Sequence, residues 1–252
     1  MTTSRKEEWR WLYGANPVLE AILGKNDITT VWIQKGKKHL RKRLDKVLKA
    51  SGRKVQVAEV PAQELQKLCR RGDHQGFVAK VAPIANSSLS GLMKDKGNLF
   101  VLLLDGIEDP QNLGAIYRVA DAGGVDLIFL PAKGSASHQL SSVAKSSAGA
   151  VEHVPTVVVG KLKKAVDELK EQGFKIYALE GSPKGKSPQE LDCSRPMALI
   201  IGSEGRGVST TLAQKADALM SLPMCGKVNS LNVATATAVA VYSVIDGSKE
   251  KK

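Results

Sequence analysis

Cysteine is scarce in this 252-residue chain: Cys69, Cys193 and Cys225 are the only three. They lie far apart, in no CxxC spacing and beside no histidine, which argues against a zinc site and against a disulfide framework. A reducing compartment is the expectation, with no metal. Long apolar runs are missing as well, since no stretch approaches the roughly 18–20 consecutive apolar residues of a membrane-spanning helix. The segment Met1–Arg10 is charged and carries no apolar run of the signal-peptide kind, so the chain reads as cytoplasmic and without a membrane partner. Internal repeats and low-complexity tracts are absent too, which sets aside repeat arrays and compositionally disordered tracts.

What remains is an ordinary globular composition, 42% hydrophobic and 25% charged, long enough for one large domain or two smaller ones. The net charge of +12 is unevenly placed. Residues 1–85 hold 18 Lys/Arg against 8 Asp/Glu, whereas residues 98–252 hold 17 against 16. A basic first third fits a polyanion such as RNA or DNA, because each neutralised phosphate releases counterions. A surface made basic only for solubility would give the same count.

A boundary falls at Pro83–Gly97, where Asn-Ser-Ser and Ser-Gly elements interrupt two better-patterned regions. The expected layout is a first domain over 1–85, a linker over 86–97 in which Leu89, Leu92 and Met93 allow a short turn of helix, and a second domain over 98–252. In the first, Asn16 is read as the cap of a helix with Pro17 in its first position and Val18, Leu19, Ile22 and Leu23 at helical spacing. Strands are expected at 29–33, 54–57 and 76–81, with a helix at 61–69. A basic helix buries Leu40, Leu44, Val47 and Leu48, giving a small three-layer α/β domain. Its cluster Lys35–Arg43 reads equally well as a solvated face or as phosphate contacts.

The second domain alternates short apolar strands (99–104, 127–130, 154–158, 175–178, 197–201, 218–222) with helices (113–122, 139–148, 162–171, 210–215, 231–245). That pattern predicts a mostly parallel sheet covered on both faces, with ligands at the carboxyl ends of its strands. The tail from Gly247 is expected to be solvated.

Three loops behind strands carry the chemistry-bearing residues. After 99–104 comes DGIEDPQNLGAIYRVADAGG, in which Asn112 is read as a helix cap and Arg118 follows one and a half turns later. After 197–201 comes IIGSEGRGV, where three glycines permit close backbone approach and Glu204 offers a carboxylate. After 218–222 comes LPMCGKVNSLNVATATAVAVY, where Ser230 and Asn232 flank Leu231 at the start of a helix rich in small residues. Each loop alone also fits a plain connection: a surface arginine, a strand–turn–helix junction, a capped core helix.

Together and in order, these loops resemble the SpoU/TrmH family of RNA 2′-O-methyltransferases. The matching elements are Asn112-Leu113-Gly114 through Arg118, Gly202-Ser203-Glu204-Gly205-Arg206-Gly207, and Leu222-Pro223-Met224 through Ser230-Leu231-Asn232-Val233. GANPVLEAI and HQGFVAKV near the start resemble the L30e-like substrate-binding domain of many members. The resemblance implies a parallel-sheet α/β domain with a C-terminal trefoil knot over roughly 200–233, an exception to unknotted topology. It implies a homodimer through the knot region and S-adenosylmethionine as methyl donor. The donor's contacts would be Gly202, Leu222 and Leu231, with Leu199, Ile201, Ser203, Glu204 and Met224 nearby. Arg118 would act at the reacting hydroxyl, as base or as electrostatic clamp. Asn112 belongs to the same catalytic motif, Ser230 and Asn232 would orient substrate, cofactor or Arg118, and Glu204 would brace the site. Within the family the two-domain layout favours a guanosine in 23S ribosomal RNA, with transfer RNA left open.

Two rival classes compete with this reading. An NAD-type oxidoreductase needs a Gly-rich turn after the 99–104 strand, where the chain has DGIEDPQNLG instead. A non-catalytic RNA- or ribosome-binding protein leaves Asn112, Arg118, Glu204, Ser230 and Asn232 without a role.

Overall fold

The computed structural model describes residues 9–69, 73–181, 185–227 and 230–249. Met1–Glu8, and the part of the expected tail beyond residue 249, lie outside the described residues. Packing divides the chain into two units. One comprises the residues up to Ala85 together with His138–His153, and the other comprises Asn86–Ser137 and the chain from Val154 onward.

The first unit begins with β1 (Arg10–Tyr13), α1 (Ala15–Leu23), β2 (Ile28–Gln34), α2 (Lys38–Ser51), β3 (Gln56–Val60), α3 (Ala62–Cys69) and β4 (Phe77–Val81). Its sheet has the order β1-β4-β2-β3, with β4 antiparallel to both neighbours and β2 parallel to β3. Leu12, Val18, Ile22, Val31, Leu44 and Phe77 are fully buried, so the expected apolar stripe of α1 faces the core through Val18, Leu19 and Ile22, whereas Leu23 is exposed. Helix α1 starts earlier than expected, however, and Asn16 is not its cap. Gly14 occupies the cap position at φ 103°, a value that favours glycine. Gln75 Oε1 accepts the first free N–H, from Ala15, at 3.3 Å, and Asn16 Oδ1 accepts from Arg43 instead. Strand β3 starts two residues late. The turn after α2 is held by Arg53, whose guanidinium donates to the carbonyls of Ile22 and Gly24.

The second unit contributes α4 (Leu89–Lys96), β5 (Phe100–Asp105), α5 (Pro110–Ala122) and β6 (Leu127–Pro131). Next in the chain comes α6 (Ser141–Ser146), which belongs to the first unit. By packing, His138–His153 thus joins the first unit although the expected second domain runs over 98–252, and a buried ion pair lies within that unit. Arg10 Nη1 and Nη2 donate to the two oxygens of Glu152 at 3.0 and 2.9 Å, and Asn26 donates to the same carboxylate at 3.1 Å. A carboxylate and a guanidinium out of water need each other, because leaving either one unpaired costs roughly 3–5 kcal/mol.

The remaining elements are β7 (Thr156–Val159), α7 (Leu162–Glu171), β8 (Lys175–Leu179), β9 (Met197–Gly202), α8 (Thr210–Ala213), β10 (Ala218–Met220) and α9 (Val233–Lys249). The six strands form an entirely parallel sheet in the order β10-β8-β9-β5-β6-β7. All of Phe100–Leu104 and Met197–Gly202 is buried, as expected when helices cover both faces. On one face α7 and α8 pack Val166, Leu169 and Leu212 onto Val101, Leu103 and Ile200. On the other, α5 and α9 approach closely: a side chain at Gly123 would come within 2.5 Å of Val241 Cγ1. Residues 86–97 are not a free linker. Ser88 accepts from Gly91 N to cap α4, and Leu89 enters the core beside Leu99 and Phe174. Helix α9 runs past Gly247 to Lys249. Among the described residues no helix is long and apolar enough to cross a membrane, and no group of His, Cys, Asp or Glu is arranged to hold a metal ion.

Candidate active site

The carboxyl ends of β8, β9 and β10 open onto a cleft of about 610 Å³. Strand β9 delivers the first wall. The chain leaves it through Gly202, folds back so that Ser203 and Gly207 exchange backbone hydrogen bonds at 3.2 and 3.0 Å, and turns at Gly205 and Gly207 with φ of 84° and 65°. No side chain fits at Gly202, where a Cβ would lie 2.0 Å from Gly207 C and 2.1 Å from Val208 N. Asp105, at the end of β5, anchors the far side of this loop by accepting from Ser209 N at 2.9 Å.

Helix α9 delivers the second wall through its own cap. Asn232 Oδ1 accepts from Ala234 N at 2.9 Å and from Thr235 N at 3.3 Å, satisfying N–H groups that have no partner within the helix. Its Nδ2 points the other way and donates to Glu204 Oε1 at 2.6 Å and Asn112 Oδ1 at 2.9 Å. Val233 N reaches the same Glu204 oxygen at 3.4 Å. Three residues from separate stretches, the first turn of α5, the loop after β9 and the cap of α9, thus form one hydrogen-bonded cluster at the rim of the cleft. Asn112 is free for it because Asp109, not Asn112, caps α5 by accepting from Gln111 N at 2.9 Å, with Pro110 in the first helical turn. That corrects the expected cap, and Pro explains it, since its missing N–H and fixed φ suit the first helical position.

Apolar surface completes the cleft. Leu222, Met224 and Leu231 line it, and Met224 and Leu231 are 38% and 40% exposed, which leaves apolar surface open within the cleft. Ile201, Gly202, Ser203, Glu204, Ser230 and Asn232 also line it. Leu199 does not. It is fully buried in the middle of β9, paired with Leu102 and Tyr177 on the flanking strands, too far back from the strand end to contribute a wall. Arg118 is outside the cleft as well. It lies on the exposed side of α5, and among the described residues its guanidinium has no hydrogen-bond or ion-pair partner. Six residues at 3.6 per turn carry it round the helix from Asn112.

Leu179, the last residue of β8, and Glu180 and Gly181 directly after it line the cleft too and went unread in the sequence. Their signal was available: a carboxylate and a glycine directly behind a parallel strand, where such sheets bind ligands. Glu180 N donates to Met220 O, tying this loop to β10, and a Cβ at Gly207 would lie 3.7 Å from Glu180 Oε1. Arg206 and Glu108 pair at 3.2 Å across the outer edge of the β9 loop, well exposed and so contributing little to stability.

Comparison with known proteins gives the family. Residues 99–242 match the model of the SpoU rRNA methylase family, and residues 11–86 match the RNA 2′-O ribose methyltransferase substrate-binding domain. A protein of Staphylococcus aureus (strain COL), named for the TrmH family of tRNA/rRNA methyltransferases, is 38% identical over 238 residues, covering 92% of this chain and 94% of the relative. Among solved structures, an RNA methyltransferase of the TrmH family from Porphyromonas gingivalis superposes with a TM-score of 0.76 at 25% identity, covering 96% of this chain and 92% of that one. AviRb, a SpoU methyltransferase of Streptomyces viridochromogenes crystallised with AdoMet, has the same fold, with a TM-score of 0.78 at 22% identity over 96% of this chain and 91% of that one. A Gly-rich turn of the NAD-binding kind is absent after β5, and a purely RNA-binding role leaves the cleft unexplained. The chain belongs to the SpoU/TrmH family of RNA methyltransferases.

Proposed function

We propose that this protein transfers a methyl group from S-adenosylmethionine to a ribose 2′-hydroxyl of RNA, and that the acceptor is a guanosine of 23S ribosomal RNA. The observation that carries the reading is the Glu204–Asn232–Asn112 cluster, built from three separate stretches of chain at the rim of one cleft.

S-adenosylmethionine fits the residues present. Leu179, Leu222 and Leu231 offer an apolar slot for a flat base, and the bare backbone at Gly202 lets a ligand lie against the chain. Glu180 and Glu204 bring negative charge to the cleft that takes a cationic donor. When bound, the cofactor supplies an electrophilic methyl group on a sulfonium. The protein's part is to hold a hydroxyl in line with it, a contribution of position and charge. Asn232 is fixed at both ends of its amide and orients its neighbours; Ser230 adds a hydroxyl beside it. Glu204 braces the β9 loop against α9.

Arg118 grips the phosphate next to the target nucleotide and stabilises charge developing on the attacking oxygen, tasks for which five fixed donors are suited. Its position outside its own cleft leads to a homodimer in which Arg118 serves the partner's cleft. Val239 and Tyr242, apolar side chains left 43% and 52% exposed on α9, fit such an interface, formed through the knot region. The knot would run over residues 200–233, consistent with β9 lying between β5 and β8 and with the crowding at Gly202.

Label transfer from methyl-tritiated S-adenosylmethionine to separated ribosomal and transfer RNA tests the substrate. Incorporation into 23S RNA, recovered as 2′-O-methylguanosine, supports the proposal. Incorporation into transfer RNA alone replaces its second half.

A further inference from the structure

All three tryptophans of the chain, Trp9, Trp11 and Trp32, lie in the first unit. Strand β1 alternates: Arg10 and Leu12 are buried, while Trp11 and Tyr13 face the other side, and Trp9 continues that series just before the strand. The register sets Trp11 opposite Lys80 and Tyr13 opposite Val78, and Val78 in turn opposite Trp32. One face therefore gathers Trp11, Tyr13, Lys80 and Trp32. The rings of Trp11 and Trp32 stack with centroids 5.5 Å apart and planes 27° apart. Lys80 Nζ lies 5.8 Å from the centre of the Trp9 ring, and Lys145 Nζ lies 5.7 Å from that of Tyr13.

Core packing does not account for this arrangement. Helix α3 closes only the inner part of the face, where Val60, Leu65, Cys69 and Val78 are buried with Tyr13 and Trp32 at their margin. Trp9 and Trp11 both remain 39% exposed. The two nearby cations differ. Lys145 is held by Asp73 at 2.6 Å, whereas among the described residues Lys80 has no ion pair and its charge is open to a ligand. The surrounding unit is strongly basic, with 18 Lys/Arg against 8 Asp/Glu in residues 1–85. A partner that suits two exposed indoles and an open ammonium group is flat, π-stacking and anionic. An unpaired nucleotide has all three properties, whereas duplex RNA hides its base faces.

We propose that Trp9, Trp11 and Lys80 form a platform on which one or two unpaired bases of the RNA substrate stack, with Lys80 meeting the adjoining phosphate. This rests on the reading of the chain as an RNA-modifying enzyme and adds which part of the RNA the first unit grips. The face selects single-stranded segments, and it does so without reading sequence, because every base offers a π surface.

Intrinsic fluorescence reports on the platform directly, since no tryptophan lies elsewhere. The full-length protein is titrated with a single-stranded RNA of about twelve nucleotides, within the span such surfaces take, and with a duplex of the same sequence. The expected result is quenching by the single strand and affinity for it at least about ten-fold above that for the duplex. The double variant Trp9→Leu/Trp11→Leu should lose about ten-fold or more in single-strand affinity while keeping its circular dichroism and cofactor binding. If that variant fails to fold, Trp9→Leu alone decides, because Trp9 stands outside the strand; it should lose about five-fold. Trp11→Phe, which keeps a ring, should retain most of the affinity. Tight RNA binding without quenching, or unchanged affinity in the folded Leu variants, overturns the proposal. Quenching by neither RNA, as a platform for an apolar protein surface predicts, overturns it too. The two readings fail separately: quenching without methyl transfer to any RNA contradicts the enzyme and keeps the platform, while transfer with an unchanged KM for RNA in the Leu variants does the reverse.

Discussion

Asn232 and Glu204 share a hydrogen bond of 2.6 Å, made by an amide whose oxygen at the same time caps α9. One side chain thus joins helix stability to the geometry of the cleft, and the two roles separate by substitution. Asn232→Asp keeps a capping oxygen but places a second carboxylate against Glu204. Thermal stability should change by less than about 1 kcal/mol, since Asp and Asn cap equally well. Methyl transfer should fall by about ten-fold or more, the loss expected of a charge-assisted bond turned repulsive. Asn232→Ala should lose both. A melting curve and a transfer assay on each variant check the split.

Gly202 is the tightest point of the cleft wall that β9 supplies. Gly202→Ala would put a Cβ about 2 Å from the backbone of Gly207 and Val208, and backbone cannot step aside as a side-chain end can. The β9 loop must open, so the affinity for S-adenosylmethionine, measured by calorimetry, should weaken by at least about ten-fold, corresponding to the 1–3 kcal/mol typical of overpacking.

Arg118→Ala should leave folding and cofactor binding intact, because the side chain is exposed and has no hydrogen-bond or ion-pair partner among the described residues; a stability change within about 0.5 kcal/mol is expected. Methyl transfer should fall by about a hundred-fold or more, as when a donor to developing charge is removed. If Arg118 serves the partner's cleft, mixing Arg118→Ala with Gly202→Ala subunits should restore about a quarter of wild-type activity, since half of the dimers then hold one complete site. No recovery on mixing would place Arg118 and the cleft in the same subunit.

Lys37 and Lys38 open α2 without ion pairs among the described residues, whereas Arg41 is held by Asp45 and Glu59. Lys37→Glu with Lys38→Glu should weaken RNA binding and lower the salt slope of log affinity by about 2, one phosphate contact per lysine. An unchanged slope would make this a solvated helix face.

Burial, aided by the charge of Arg10, pushes the His138 imidazole down to about 4. The unfolded chain takes up that proton near pH 6.5, and the folded chain refuses it. The sign is therefore fixed: stability present above about pH 6.5 is lost as pH falls toward 4, by up to roughly 3 kcal/mol for this group. His138→Gln should flatten the wild-type loss across that window in denaturant titrations at several pH values.

Much of this architecture was legible in the chain. Alternating apolar strands and helices announced the parallel sheet, because burial on both faces leaves continuous runs such as Phe100–Leu104. The loops at Gly202–Gly207 and Ser230–Asn232 were legible for a related reason, since glycines and capping residues cluster where backbone turns tightly. Local propensity misled where distant residues supplied the partner. Asn16 looked like a cap, but Gln75 satisfies that helix start from 60 residues away. The helix expected at 139–148 looked like part of the sheet's own cover, yet it packs with the first unit, where Glu152 meets Arg10. Leu199 matched by position, yet three places before the end of its strand it is enclosed by the sheet and its covering helices. Glu180 was passed over because its loop repeats no recognised spacing, although its place behind a strand was informative.

Mapping ribose methylation on total RNA tests the central claim most directly. RNA from cells lacking this protein is incubated with the purified enzyme and S-adenosylmethionine, then digested and read for 2′-O-methyl nucleosides at single-position resolution. The account predicts one guanosine in 23S RNA that gains a 2′-O-methyl group with wild-type enzyme and stays unmodified with Arg118→Ala. Methyl groups on bases rather than ribose, or full modification by the variant, would contradict it.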